Sequence, residues 1–291
     1  MDGDQFEQYR SSIEGLAYRM LGSRVDAQDI AQDTYLRWQK RPRGELRSEK
    51  SWLLKTASRL ALDRLKSAQR NRETYVGPWL PEPWLIEESA PDQQAMLDDT
   101  VTIALMIAME RLSPAERAAF LLHDVFGLTF DEIAEALGKS TVACRQLASR
   151  GRASIRDKRP RFDLNPARHQ ALLDAFLAAC NAGDLAALKD MLAEDATLVS
   201  DSGGKAISAR RVIESQDKVS RFFQGVFAKA RRRGEQRVAH YGHFNGLPAL
   251  MLADAGQPHS AFSLSIVDGK IQSIYVHRNP DKLALLGSVP R

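Results

Sequence analysis

The sequence predicts a multidomain chain: two all-α modules joined by a linker, followed by an α+β module. Three observations predict it. Residues 1–73 and 101–162 carry apolar stripes at helical spacing, opened by Ser/Thr capping patterns. Between them, 74–100 holds no lysine or arginine but six acids: Glu82, Glu87, Glu88, Asp92, Asp98 and Asp99. The last third alternates short apolar runs with Asn-Gly, Ala-Gly-Gln-Pro and Asp-Gly turns, a strand pattern.

The chain has 291 residues and a formal net charge of +4, room for about two or three domains. The basic residues cluster. Residues 1–73 hold 15 Lys/Arg against 11 Asp/Glu, and 101–162 hold ten against seven. Two cationic modules therefore flank an acidic linker, and a mildly basic module, 163–291, follows. No apolar run approaches the ~18–20 residues of a membrane span, and MDGDQFEQYR lacks the features of a secretory signal. Cys144 and Cys180 are the two cysteines, which fits a reducing cytoplasm. No Cys/His clustering suggests a metal, and no motif calls for a cofactor.

In the first module, Ser23-Arg24-Val25-Asp26 has Ser-x-x-Asp capping spacing. The helix it opens buries one stripe, Ala27, Ile30, Ala31, Thr34 and Trp38, and gathers Asp26, Asp29 and Asp33 on another face. Those acids form either a solvated face or a docking surface for a basic partner. Pro42 and Gly44 break the chain before a second helix near Ser51, with Leu53, Ala57, Leu60 and Ala61 inward. Lys55, Arg59, Lys66 and Arg70 form a basic stripe, joined by Arg41, Arg43, Arg47, Lys50, Arg64 and Arg72, with Trp52 at the start. Cations that track phosphates, plus an aromatic that stacks on an unpaired base, are what a separated nucleic-acid strand requires.

In the second module, Ser113-Pro114 starts one helix, and Thr129-x-x-Glu132 is a capping box for a short helix with Ile133, Ala134 and Leu137 inward. Gly138 ends it and Ser140 caps the next, a helix-turn-helix layout. On the last helix, Cys144, Leu147, Ala148 and Gly151 share a packing arc. Arg145, Gln146, Ser149, Arg150 and Arg152 fall mostly outside it, with side chains suited to base edges and phosphates.

"DAQDIAQDTYLRW", "SWLLKTASRLALDRL", "LSPAERAAFLLHDVFGLTFDEIAEALG" and "CRQLASRGR" resemble, in order, regions 2 and 4 of extracytoplasmic-function sigma factors, over about Phe6 to Arg159. The resemblance implies a region 2 helical bundle and a region 4 helix-turn-helix. It implies that Asp26, Asp29, Gln32 and Asp33 dock on core RNA polymerase, on its β′ coiled coil, with β as a further partner. Trp52, Lys55, Ser58, Arg59 and Arg64 would open and read the −10 element of promoter DNA. Arg145, Gln146, Ser149, Arg150 and Arg152 would serve the −35 element.

In the third module, residues 166–192 read as two helices broken at Asn181-Ala182-Gly183-Asp184, "ATLVSDSGGK" as a strand entering a glycine turn, and residues 207–234 as helix. Four strand-like runs follow. This order is similar to the SnoaL-like, NTF2-like cone, and the whole chain to the SigJ-like group of sigma factors that carry it at the C-terminus. "WLPEP" (Trp79, Leu80, Pro81, Glu82, Pro83), "DSGGK" (Asp201, Gly203, Gly204, Lys205) and "NPDKL" (Asn279, Pro280, Asp281, Lys282, Leu283) look like that group's added signatures. Ser202 stands where the group usually has a glycine.

SnoaL-like folds include enzymes with Asp/His pairs, and Asp201, His240, His243, Asp268 and His277 are the candidates here. Strand alternation sends His240 and His243 to opposite faces, which disfavours catalysis. A regulatory domain, in intramolecular contact with the sigma modules and with an unidentified small ligand in its cavity left open, is the simpler reading. The prolines of the linker pre-order it, so Trp79–Pro83 is expected to pack on the third module, against an alternative in which both tryptophans cover region 2. A one-component helix-turn-helix regulator with a ligand-binding or catalytic SnoaL-like domain is the competing function. "DAQDIAQD", which such a regulator does not need, favours the sigma factor.

Overall fold

A computed structural model describes residues 2–41, 48–84, 102–156, 163 and 165–287. Arg43, Arg47, the acids of the linker from Glu87 onward and the side chains of Arg70 and Arg72 lie outside the described residues. The chain divides into two compact units. One contains the described residues of both cationic modules; the other contains 75–84 together with the C-terminal module. The division differs from the sequence-based one, in which regions 2 and 4 are separate bodies and the linker stands alone.

The first unit starts with α1 (Asp2–Leu21), α2 (Arg24–Gln39) and α3 (Glu49–Glu73). Ser23 Oγ accepts from the Asp26 amide at 3.3 Å, and Ala27, Ile30, Ala31, Thr34 and Trp38 are the buried side chains of α2, as their spacing predicts. Ile13, Leu16 and Met20 of α1 and Leu53, Leu54, Ala57 and Ala61 of α3 are buried as well, and the three helices pack pairwise on one another. Next come α4 (Ile103–Met109) and α5 (Pro114–Phe120), which runs into a π-helical turn over Leu121–Val125. The pair α6 (Phe130–Leu137) and α7 (Thr141–Arg156) follows. Both capping boxes form, Ser113 with Glu116 and Thr129 with Glu132, and Gly138 closes α6 in the left-handed region at φ 62°. At Gly151 of α7 a Cβ would lie 3.2 Å from Phe120 Cβ, so the missing side chain lets α7 approach α5.

The second unit has α8 (Pro166–Ala182) and α9 (Leu185–Met191), separated at Gly183 and Asp184 as expected. Strand β1 (Leu192–Asp201) comes next, then β2 (Ile213–Glu214), α10 (Gln216–Arg232), β3 (Val238–Phe244), β4 (Leu247–Asp254), β5 (Gln257–Val267), β6 (Lys270–His277) and α11 (Pro280–Ala284). The helix expected from residue 207 begins only at 216. Ile213 and Glu214 are extended because they pair with Leu198 and Thr197 of β1, and Ser215 caps the helix on the Lys218 amide. The six strands form one sheet in the order β2-β1-β6-β5-β4-β3, with β1 and β6 parallel and the other neighbours antiparallel. Asn245-Gly246, Ala255-Gly256 and Asp268-Gly269 all have positive φ, the backbone of two-residue hairpin turns.

The sheet has two differently used faces. Leu250, Leu252, Phe262, Leu264, Ile274 and Val276 join the helices' Leu173, Phe176 and Phe223 in the main core. The other face carries Phe244, Ala249, Met251 and Ala261 against Leu283 and Leu286 from the C-terminal end. Alternation along β1 and β6 therefore sends neighbouring residues to opposite sides.

Candidate nucleic-acid interfaces and the linker dock

The docking candidates of α2 lie where a partner can reach them from solvent: Asp29, Gln32 and Asp33 are exposed and Asp26 is half-buried. Two of them are already bridged. Arg64 of α3 donates from Nε to Asp26 Oδ1 and from Nη2 to Asp29 Oδ2, both at 2.8 Å. Placed by resemblance among the −10 residues, Arg64 sits in this conformation with the acidic docking group.

The other −10 candidates are also engaged. Lys55 Nζ lies 2.7 Å from Glu135 Oε2, and Arg59 donates to the carbonyls of Ala136 at 3.0 Å and Glu135 at 2.6 Å. Both cations meet the C-terminal end of α6, where carbonyls without helical partners and the helix dipole favour positive charge. Trp52 is half-buried, its ring centroid 5.5 Å from that of Trp38. Ser58 corrects the expectation most directly. It is fully buried, and its hydroxyl donates to the Lys55 carbonyl at 2.9 Å, so here it stabilises α3 from within instead of facing DNA.

One residue that sequence reasoning missed joins the two modules. The Arg117 guanidinium is buried and donates to the carbonyls of Met109 and Met20, while Nη1 pairs with Glu110 at 2.8 Å. Met20 belongs to the first module and Met109 to the second. An arginine inside an amphipathic run gives no periodic signal; its burial is matched by acceptors from both modules, the carbonyls at the ends of α1 and α4 and the Glu110 carboxylate.

On α7, Arg145, Gln146, Ser149 and Arg150 are exposed along one side, while Cys144 and Ala148 are buried beneath. Arg152 differs from the rest of its set. It pairs with Asp124 at 3.0 Å and is partly buried, so it braces α7 against the π-helical turn.

In the second unit, Asp201 organises a dock for residues 75–84. It ends β1, is fully buried, and faces the linker because its neighbour Ser200 faces the helices. Its Oδ1 accepts from the Tyr75 hydroxyl at 2.6 Å; its Oδ2 accepts from the Leu80 amide at 2.9 Å and from Lys282 Nζ at 2.7 Å. Lys282 Nζ also donates to the Leu80 carbonyl and sits 4.6 Å from the centre of the Trp79 ring. Asn279 donates to the Tyr75 hydroxyl at 2.9 Å. Burial, then the Asp201 hydrogen bond, raises the Tyr75 phenol well above its ordinary range, so it stays a donor.

Register explains the next contact. Asp201 is opposite His277 on β6, and His277 Nε2 lies 2.8 Å from the Pro81 carbonyl, which can only accept. Nε2 therefore carries a proton and donates it to that carbonyl. Burial, reinforced by the Lys282 charge, pushes the imidazole pKa down to about 4. At the far end, Trp84 and Asn245 exchange two hydrogen bonds, Trp84 N to Asn245 Oδ1 at 3.2 Å and Asn245 N to the Trp84 carbonyl at 3.0 Å. Leu80, Pro81, Pro83 and Trp84 are buried, and Glu82 is half-buried.

The glycine turn makes room for this segment. Gly203 and Gly204 have φ of 57° and 74°, and a Cβ on either would meet Asn279 Nδ2 at 2.7 Å or Val76 Cβ at 3.0 Å. Ser202 is not among the residues with positive φ, so a side chain is tolerated there without strain. Lys205 pairs with Asp281, joining the glycine turn to α11, while Pro280 takes its first turn and Leu283 packs under the sheet. Of the acid–base candidates, Asp201 and His277 are committed to the linker, and Asp268 sits in an exposed hairpin turn. His240 and His243 are partly buried on β3.

The model of sigma-70 region 2 matches residues 5–71 and that of sigma-70 region 4 matches 103–155. The chain is 37% identical over 293 aligned positions to the ECF RNA polymerase sigma factor SigJ of Mycobacterium tuberculosis strain H37Rv, covering 97% of this chain and 93% of the relative. It is 34% identical to the probable ECF RNA polymerase sigma factor SigI of the same strain, covering 94% and 92%. The crystal structure of Mycobacterium tuberculosis SigJ superposes with a TM-score of 0.78 at 34% identity, covering 97% of this chain and 98% of that one. With regions 2 and 4 in order, and a relative that matches through the C-terminal α+β domain, the chain belongs to the extracytoplasmic-function family of RNA polymerase sigma factors.

Proposed function

We propose that this sigma factor is governed by its own C-terminal unit, which holds the front of the interdomain linker and so limits how far regions 2 and 4 can part on a promoter. The observation that carries the reading is Asp201: one buried carboxylate receives the Tyr75 hydroxyl, the Leu80 amide and the Lys282 ammonium together. A carboxylate so satisfied is a structural anchor, and two of its partners, Leu80 and Lys282, belong to signatures that a plain two-module sigma factor lacks.

Chain length gives the control its physical sense. Fully extended, residues 74–100 reach at most about 90 Å, and 85–100 alone about 55 Å. The −10 and −35 elements lie roughly 25 base pairs apart, about 85 Å of duplex at ~3.4 Å per pair. Holding 75–84 on the C-terminal unit removes slack that promoter engagement needs. On polymerase, Asp26, Asp29, Gln32 and Asp33 meet the β′ subunit, Trp52, Lys55, Arg59 and Arg64 take the −10 strand, and Arg145, Gln146, Ser149 and Arg150 read the −35 groove. Lys55 and Arg59 leave α6 to do so.

The test is run-off transcription with purified core polymerase on a template carrying the cognate −10 and −35 elements. Asp201→Ala and the milder Tyr75→Phe are expected to raise the yield per bound sigma factor several-fold, the former more. Unchanged yield from both would overturn the control by linker capture. Failure of every form to bind core would overturn the assignment of the docking residues.

A further inference from the structure

The helix-covered face of the sheet holds a cavity of about 280 Å³, open to solvent, that no part of the linker dock uses. Its inner wall is apolar: Phe222, Phe223 and Phe227 come from α10, and Phe262 and Val276 come from β5 and β6. Exposed Ile207 and Val226 stand at its edge. The volume falls just below the roughly 300–1,000 Å³ typical of small-molecule sites.

The charged part of the lining is mostly cationic and includes Lys229. Arg233, Arg237 and Arg278 all line the cavity, with Glu235 as the carboxylate among the lining residues. Glu235 is used twice, pairing with Arg237 and lying 3.7 Å from Arg233. Among the described residues no carboxylate comes within ion-pair distance of Arg278, whose Nη1 donates instead to the His259 carbonyl at 2.7 Å and rests against the His259 ring. Arg237 Nε is buried with no acceptor. Burial and then the Arg237 charge lower the Arg278 pKa, and burial with both arginines holds the His259 ring down to about 4. The wall thus carries uncompensated positive charge beside an aromatic lining. Such a pair of surfaces is costly when empty and complementary to an anion with an apolar body.

We propose that this cavity binds a compact amphipathic carboxylate, aliphatic or aryl, whose apolar body lies among the α10 phenylalanines and whose carboxylate meets Arg278 and Arg237. An inorganic oxyanion would leave the aromatic wall unused, and an alcohol would leave the guanidinium groups unpaired. This site is independent of the control proposed above, and its test does not involve transcription.

The experiment is isothermal titration calorimetry of the full chain with sodium octanoate, sodium phenylacetate, 1-octanol and inorganic phosphate. At least one carboxylate is expected to bind saturably at one site per chain, octanoate alone marking an aliphatic ligand and phenylacetate alone an aryl one. 1-Octanol and phosphate bind about tenfold more weakly or not at all. Arg278→Met weakens the carboxylate about tenfold or more. Val226→Glu, a change at an exposed position that leaves folding intact, does the same by placing a negative charge at the edge. Binding of neither carboxylate, equal binding of 1-octanol or phosphate, or full affinity in both variants would overturn the proposal.

Discussion

Two lysines make the same kind of ion pair at the same distance and serve opposite ends. Lys55 lies 2.7 Å from Glu135, whose side chain is 64% exposed, and Lys282 lies 2.7 Å from Asp201, which is fully buried. The first pair competes with water and salt at every moment, and such contacts contribute about 0–1 kcal/mol. The second has exchanged water for a closed set of hydrogen bonds, so loss of either partner strands a buried charge at a cost of roughly 3–5 kcal/mol. A surface that must change partners is held by the first kind; a segment that must stay until something strong displaces it is held by the second. Sigma factors are initiation factors and not enzymes, so what counts is which contacts open and in what order.

The comparison can be broken most forcefully at Asp201. Asp201→Ala is expected to cost the dock roughly 3–5 kcal/mol, read as loss of protection at the Leu80 amide by hydrogen exchange. A loss under 1 kcal/mol would put this pair in the same class as Lys55–Glu135. Next is Arg117→Ala, which removes the buried donor that the Met20 and Met109 carbonyls share, leaves the Met20 carbonyl without its guanidinium partner and should cost about 3 kcal/mol in urea unfolding of the first unit.

His277 sharpens the contrast through pH. Its pKa of about 4 in the folded chain lies below the ordinary 6.5 of an unfolded histidine, so below pH 6.5 the unfolded state binds the extra proton. Its contribution is complete above pH 6.5 and is lost as pH falls toward 4, at a slope of up to about 1.4 kcal/mol per pH unit. His277→Gln, which can still donate to the Pro81 carbonyl, should flatten that part of the pH–stability curve. Equal curves for the two proteins would contradict the assignment. The smallest effect is expected for Lys55 and Glu135, whose double-mutant cycle should give a coupling of at most about 1 kcal/mol that fades with added salt.

Much of the fold was legible because it rests on local chemistry. Ser23, Ser113, Thr129 and Gly138 mark helix ends by hydrogen bonds and φ values that depend on a few neighbouring residues. The hairpins at Asn245, Ala255 and Asp268 are equally local. Residues 207–214 misled because their helical pattern yields to a tertiary demand, the pairing of Ile213 with Leu198. The docking of Trp79–Pro83 was readable from composition, since two tryptophans among prolines need a surface. Asn245 as the partner of Trp84 was not, for an Asn-Gly turn already accounts for that residue. Arg233 caps the end of α10; it becomes part of a cavity only when the chain returns with Arg237 on β3's approach and Arg278 after β6. Long-range convergence of this sort has no trace in sequence spacing.

Hydrogen exchange at the Leu80 amide, followed in the free sigma factor and in its complex with core polymerase on promoter DNA, tests the central claim most directly. The account predicts slow exchange in the free chain, where that amide is buried on Asp201, and markedly faster exchange once the promoter complex forms. Rapid exchange in the free protein, or undiminished protection in a transcribing complex, would contradict it.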